Sequence, residues 1–136
     1  MDKAAFKLDG YVFDRVSLDL SNLQPKSTFD IDFAPSGVFV GENKSFELTF
    51  VFIAMDDESG NEVVNVRCVA RYSFHDIHSL DEVPDYFYSN SIAILFPYVR
   101  AFVSTLTLQA NVAPILLPTL NLSELQNVLK ENTLQK

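Results

Sequence analysis

The sequence has no tryptophan, a single cysteine, and ten basic residues against eighteen acidic ones. One cysteine, Cys68, cannot build an internal disulfide framework, so the disulfide-stapled secreted class is excluded and a reducing compartment fits. The formal net charge of −8 argues against nucleic acid, because neutralising phosphates needs a basic footprint. An acidic chain instead attracts basic polypeptides at the encounter stage. A long uninterrupted apolar run is also missing. The greasiest stretch, Ile92 to Leu108, is broken by Pro97 and Arg100 and reads as too short to span a bilayer. Met1-Asp2-Lys3-Ala4-Ala5-Phe6 has no long apolar run after its lysine and is not expected to act as a secretory signal. No glycine-rich phosphate loop and no nucleophile elbow appears. These absences point to a soluble cytoplasmic protein without an enzyme's catalytic constellation.

What is present is apolar patterning. The chain has 136 residues, about one domain's worth, and residues 1–136 read as a single domain without internal repeats. A chain of this size buries roughly two-thirds of its unfolded surface and needs no metal or disulfide to fold. From Phe6 the even positions Phe6, Leu8, Val12, Val16, Leu18 and Leu20 are apolar, which predicts a long strand with weak points near Gly10 and Asp14. Ser21 to Ser27 reads as a loop. Phe29, Ile31 and Phe33 alternate with Asp30 and Asp32, the pattern of a strand with one wet face, and Pro35-Ser36-Gly37 is expected to end it. Phe46, Leu48, Phe50, Phe52 and Ala54 share one face of a third strand. Asp56 to Asn61 is a hairpin loop in which Gly60 supplies a positive φ. Val64, Val66, Cys68, Ala70, Tyr72 and Phe74 form the clearest alternation in the chain.

In the last third the period changes. Leu95, Phe96, Val99, Phe102, Val103 and Leu106 recur at three- and four-residue spacing, the mark of a helix face. Pro97 suits the first turn of that helix; a start near Ser91 would instead place it inside, where it should kink the helix. The opposite face, with Ile94, Tyr98, Ala101, Thr105 and Leu108, is also mostly uncharged. A helix apolar on nearly all sides wants cover on both, and a second subunit is the simplest second cover. Tyr98, Phe102 and Leu106 are therefore candidate oligomer-interface residues. Between Asn111 and Leu120, long aliphatic residues sit among Pro114 and Pro118, although loops are ordinarily polar. Ile115, Leu116 and Leu117 either form a lid over this chain's own core or face a partner. Asn121 or Ser123 can cap a final short helix, and Lys130 to Lys136 is expected to fray. The fold expected is α+β: a four-stranded antiparallel sheet covered on one face by a long and a short C-terminal helix, joined by a proline- and leucine-rich crossover loop.

Several constellations can be weighed against chemistry. His75, Asp76, His78 and Asp81 contain metal-ligand types, but the usual four-ligand pattern is missing and a polar strand-to-helix connection is the better reading. Cys68, on the inward face of its strand, reads as a core residue. Asp56-Asp57-Glu58 lacks the alternating ligands and distal glutamate of a calcium loop and reads as a solvated turn. No metal and no cofactor are expected. Arg100 has two readings: a surface cation whose stem covers apolar neighbours, or an ion pair across a subunit interface.

Ile94-Leu95-Phe96-Pro97-Tyr98-Val99-Arg100, followed by Pro114-Ile115-Leu116-Leu117-Pro118-Thr119-Leu120-Asn121-Leu122, resembles the SecB chaperone family. That family opens its long helix on a leucine-phenylalanine-proline-tyrosine-alanine-arginine stretch and follows it with a proline- and leucine-rich crossover loop. The match is specific over residues 90–125 and rests upstream on strand order and patterns such as Phe29-Asp30-Ile31-Asp32-Phe33. The resemblance implies a homotetramer, a dimer of dimers, that holds unfolded polypeptides such as export precursors in apolar grooves and passes them to SecA. It implies a client groove formed by Phe29, Ile31, Phe33, Ile115, Leu116, Leu117, Leu120, Leu122 and Leu125. There are departures. Where the family has a glycine-containing stretch this chain has Gln109-Ala110-Asn111. The outward sheet positions mix Arg15, Arg67 and Arg71 with Asp19 and Glu47, where the family docks SecA on an acidic face. The family's long C-terminal tail is expected to be absent or reduced. A relative dedicated to one partner, such as an antitoxin, is the alternative.

Overall fold

The structure, a computed structural model, describes residues 6–22 and 28–136. Residues 1–5, and most of the loop expected over Ser21 to Ser27, lie outside the described residues. Strands β1 (Phe6–Leu18), β2 (Phe29–Val40), β3 (Ser45–Asp56) and β4 (Glu62–Phe74) are followed by helix α1 (Asp85–Gln109), helix α2 (Leu122–Glu131) and a short strand β5 (Thr133–Gln135). The sheet order is β1-β4-β3-β2-β5, with antiparallel pairing except between β2 and β5.

The apolar alternation of β3 and β4 explains the centre of the molecule. Leu48, Phe50, Phe52 and Ala54 face Val64, Val66, Cys68, Ala70 and Tyr72 on one side of the sheet, all essentially inaccessible. The helices cover that side. Phe87, in the first turn of α1, meets the rings of Phe6, Phe46 and Phe74 at centroid distances of 4.8 Å each. Edge-to-face contacts of this kind add to the area they bury. The Tyr72 hydroxyl, buried beneath the helix, donates to the carbonyl of Ser91 at 2.6 Å. The β3–β4 hairpin turns through Gly60 at φ 75°, and the Asp56 carboxylate accepts from the Ser59 amide and hydroxyl. The acidic stretch at this turn thus shapes a loop.

Four expectations need correction. The sheet has five strands and is mixed, because residues 133–135 pair in parallel with Gly37–Phe39. The C-terminal residues expected to fray are tied down in this way: the Lys136 amide donates to the Phe39 carbonyl, and the Gln135 side chain accepts from the Leu80 amide. Second, β2 runs through Pro35-Ser36-Gly37. The Gly37 amide points at the β5 side, toward the Asn132 carbonyl. The same edge two residues earlier is where proline's missing N–H falls, before β5 begins, and an open edge tolerates proline. Third, α1 starts at Asp85, earlier than either start considered, so Pro97 is not in its first turn but inside the helix, as the start near Ser91 would have it. Its absent N–H leaves the Ala93 carbonyl without an intrahelical partner. Fourth, β1 does not keep a strict period of two. Bulges between Leu8 and Gly10 and between Phe13 and Arg15 shift the register. Tyr11 and Phe13 therefore share the helix side with Phe6 and Leu8, opposite Ala70 and Cys68, and Val12 turns outward.

Helix α1 is long and apolar enough, by length and composition, to cross a bilayer. Its Phe87, Ile92, Leu95, Phe96, Val99 and Val103 are instead buried against the sheet and its neighbours.

Candidate functional site

The crossover, residues 110–121, leaves α1 through a left-handed residue. Asn111 adopts φ 62°, its amide donates to Leu108, and the amide of Val112 donates to Thr107. These two bonds form the helix-ending motif in which glycine is favoured and asparagine is the usual substitute. Asn111 thus supplies the turn that the Gln109-Ala110-Asn111 stretch lacked a glycine for. At the far end Asn121 caps α2: its side-chain oxygen accepts from the Glu124 amide at 3.1 Å. The loop is anchored at both ends by ordinary backbone chemistry.

Between those anchors the aliphatic residues divide. Ile115 is 6% exposed and belongs to the core, as does Leu125 of α2. Leu117, Leu120 and Leu122 are half-buried against that core. Leu116 is 84% exposed. The lid and partner-facing readings therefore each describe part of the loop: Ile115 holds it down, and Leu116 stands in solvent.

On the sheet side, Phe29, Ile31 and Phe33 are half-buried on the helix-facing side of β2. The Phe33 ring packs edge-on against Phe96 of α1, centroids 5.8 Å apart. On its other side Phe96 joins a cleft of about 250 Å³ lined by Ala93, Phe96, Pro97, Arg100, Thr119, Leu120 and Leu122. Buried Phe96 thus links the apolar face of β2 with the cleft beside the crossover loop and the start of α2. The structure brings together Phe33, Leu120 and Leu122 of the candidate client residues, with Phe29 and Ile31 continuing the same face of β2. Phe96, Pro97 and Arg100 as cleft residues were not foreseen. The signal available was the four-residue spacing of Phe96 and Arg100, which stacks side chains on one helix flank: the guanidinium lies over the Phe96 ring, 4.9 Å from its centroid.

The candidate interface residues lie on the other flank of α1. Phe102 stacks on Phe13 at 4.1 Å, and Tyr98 contacts Tyr11 at 4.7 Å. Leu106 is half-buried, whereas Tyr98, Ile94 and Leu108 are exposed.

The sheet's outer face carries paired charge. Arg67 grips the Asp14 carboxylate with two bonds of 2.9 and 2.8 Å, and this contact lowers the carboxyl pKa. Arg71 lies 3.5 Å from Glu47. Burial pushes the Cys68 thiol up to about 11, the opposite of an activated nucleophile. His75 pairs with Asp76 at the surface, and among the described residues no group of three metal-ligand side chains converges.

The comparison with solved structures decides the architecture. The Mycobacterium tuberculosis Rv1957 SecB-like chaperone, in complex with a ChAD peptide from the Rv1956 HigA1 antitoxin, superposes with a TM-score of 0.66 at 18% identity, over 85% of this chain and 88% of that one. The chain has the SecB-like fold. A Streptococcus agalactiae protein of unknown function gives a TM-score of 0.47 at 15% identity, over 88% of this chain and all of that one. In sequence, an uncharacterised protein of Methanocaldococcus jannaschii is 33% identical over 100 residues, 71% of this chain; the chain spans 57% of that relative's length. No family model matches the sequence.

Proposed function

We propose that this chain is a cytoplasmic holding chaperone, which binds unfolded polypeptides in an apolar groove and catalyses no reaction. The observation that carries this reading is the half-buried apolar face of β2, joined through Phe96 to the cleft beside the crossover loop, on a fold shared with a SecB-like chaperone. Holding requires broad, forgiving apolar contact. Several hundred Å² of buried apolar surface gives roughly several kcal/mol at about 25 cal/mol per Å², and ordering the client takes much of that back. A single groove therefore binds weakly, and linked grooves along one wrapped client bind well through effective concentration. That argument, with the exposed Tyr98, Ile94 and Leu108 on α1, supports assembly through the long helix into the dimer of dimers. Export precursors are clients of the chemistry such a groove accepts.

SecA is a weaker fit as partner than the clients are. The sheet's outer face pairs Arg67 with Asp14 and Arg71 with Glu47, so it offers mixed charge in place of an acidic field. This favours a second reading, in which the groove serves one dedicated partner. The solved structure with the same fold holds an antitoxin peptide, and an antitoxin segment is the matching client for this chain.

Light scattering with and without a denatured client tests the proposal, alongside suppression of client aggregation. A tetramer that takes up several unrelated unfolded clients is expected. Uptake of one short segment alone supports the dedicated version, and a monomer indifferent to every denatured chain overturns both.

A further inference from the structure

The cleft within the proposed groove has one charged residue in its lining. Arg100 is the single charged residue between Tyr86 and Gln109, and it lines the cleft with Phe96, Pro97, Leu120 and Leu122. Its guanidinium carbon sits over the buried Phe96 ring, 4.9 Å from the centroid, and it forms no ion pair among the described residues. In a chain with a net charge of −8, an exposed arginine without a carboxylate partner beside an apolar cleft is conspicuous.

From this geometry we infer that the groove reads more than greasiness: Arg100 selects client segments in which an aspartate or glutamate side chain neighbours the apolar residue seated in the cleft. The inference rests on the holding reading and sharpens its client class. A guanidinium resting on an aromatic face is held in place by the ring's quadrupole and is weakly hydrated. Its planar donors match a carboxylate in a two-bonded geometry. Holding the donor in place beforehand reduces what a client must give up to use it. The carboxylate is taken to come from a side chain and not from a chain end, because the half-buried β2 residues Phe29, Ile31 and Phe33 lie beyond Phe96. A bound segment therefore has further wall to follow on that side. The rest of the acidic chain attracts basic clients only at long range, where salt screens it; Arg100 acts at contact. The two influences favour clients of mixed charge over purely basic ones.

The test uses the full chain and short fluorescein-labelled, C-terminally amidated peptides with identical leucine and phenylalanine anchors and either glutamate or glutamine beside one anchor. Binding is read by fluorescence anisotropy. The glutamate peptide is expected to bind about three- to fivefold more tightly, the scale of an exposed ion pair, and Arg100→Gln is expected to erase that difference between the two peptides. Arg100→Lys, which keeps the charge but loses the fork, should fall between. Equal affinities in the unaltered protein, or an Arg100→Gln variant that weakens both peptides alike, would overturn the inference while leaving the groove intact. An Arg100 dependence that appears only with a free C-terminal carboxylate overturns it too. Failure of both peptides to bind defeats the holding reading itself, and this inference with it.

Discussion

The rings of Phe13 and Phe102 lie 4.1 Å apart and nearly parallel, at 9°, so β1 closes one flank of α1 within the same subunit. The pair exists because the bulge beside Gly10 turns Phe13 toward the helix. Aromatic pairs of this kind contribute about 0.5–1.5 kcal/mol beyond the area they bury. Phe13→Ala and Phe102→Ala, measured singly and together by urea unfolding, should show a coupling of about 1 kcal/mol. Additive losses would mean the stack is incidental. Tyr98→Asp, on the exposed side of the same flank, is expected to lower the oligomer size, at a subunit cost of about 0.5–1.5 kcal/mol from its lost ring contact with Tyr11.

Neighbouring loop residues should separate folding from binding. Ile115 is buried and Leu116 is 84% exposed. Ile115→Ala should cost about 2–4 kcal/mol through the cavity it leaves. Leu116→Asp should change stability by less than about 0.5 kcal/mol yet weaken polypeptide binding, more so combined with Leu117→Asp. Unchanged binding in the double variant would remove the crossover loop from the groove.

Asn111, at φ 62°, makes a backbone prediction. A residue with an ordinary side chain pays about 1–2 kcal/mol in that conformation, and glycine pays nothing for it. Thermal unfolding should therefore find Asn111→Ala less stable by about 1 kcal/mol and Asn111→Gly close to the unaltered protein. The reverse order would contradict the helix-ending turn.

Alkaline pH should expose the burial of two protonated groups. Burial raises the Cys68 thiol to about 11 and pushes the Tyr72 hydroxyl up as well. An unfolded thiol titrates near ~8.5, so the folded state holds its proton longer than the unfolded one. The stability this provides is fully present below about pH 8.5 and declines as pH rises toward the folded value, at no more than about 1.4 kcal/mol per pH unit. Urea midpoints should be flat near neutrality and fall above that point, and Cys68→Ala should make the fall shallower. A thiol reagent should react with Cys68 only after unfolding.

Sequence patterning made the interior legible where the period held and misled where a local device broke it. In β4 every even residue from Val64 to Phe74 points inward, because nothing interrupts the pleat. In β1 the bulges reverse the faces of Tyr11, Val12 and Phe13, and alternation alone does not announce an inserted residue. Pro35 looked like a stop because a proline inside a paired strand loses a bond, yet its position on an uncovered edge removes that penalty. Residues 133–135 are too few to carry a pattern; their strand is created by the edge they meet. Of the candidate site, the aliphatic loop was readable as surplus apolar residues, whereas the β2 face entered it through the family resemblance alone. The direction of Arg100 was not readable, since it depends on the Phe96 ring four residues earlier.

The hydroxyl of Tyr72, fixed to the carbonyl of Ser91, has a consequence for alignment. Oily contacts hold α1 down on the sheet but are indifferent to sliding, because apolar attraction has no direction. A directional bond under the helix favours one lengthwise position. Five residues further along, that position decides whether Phe96 comes to rest beside Phe33 or beyond it, so a phenol in the dry interior keeps the gauge of a surface it never touches.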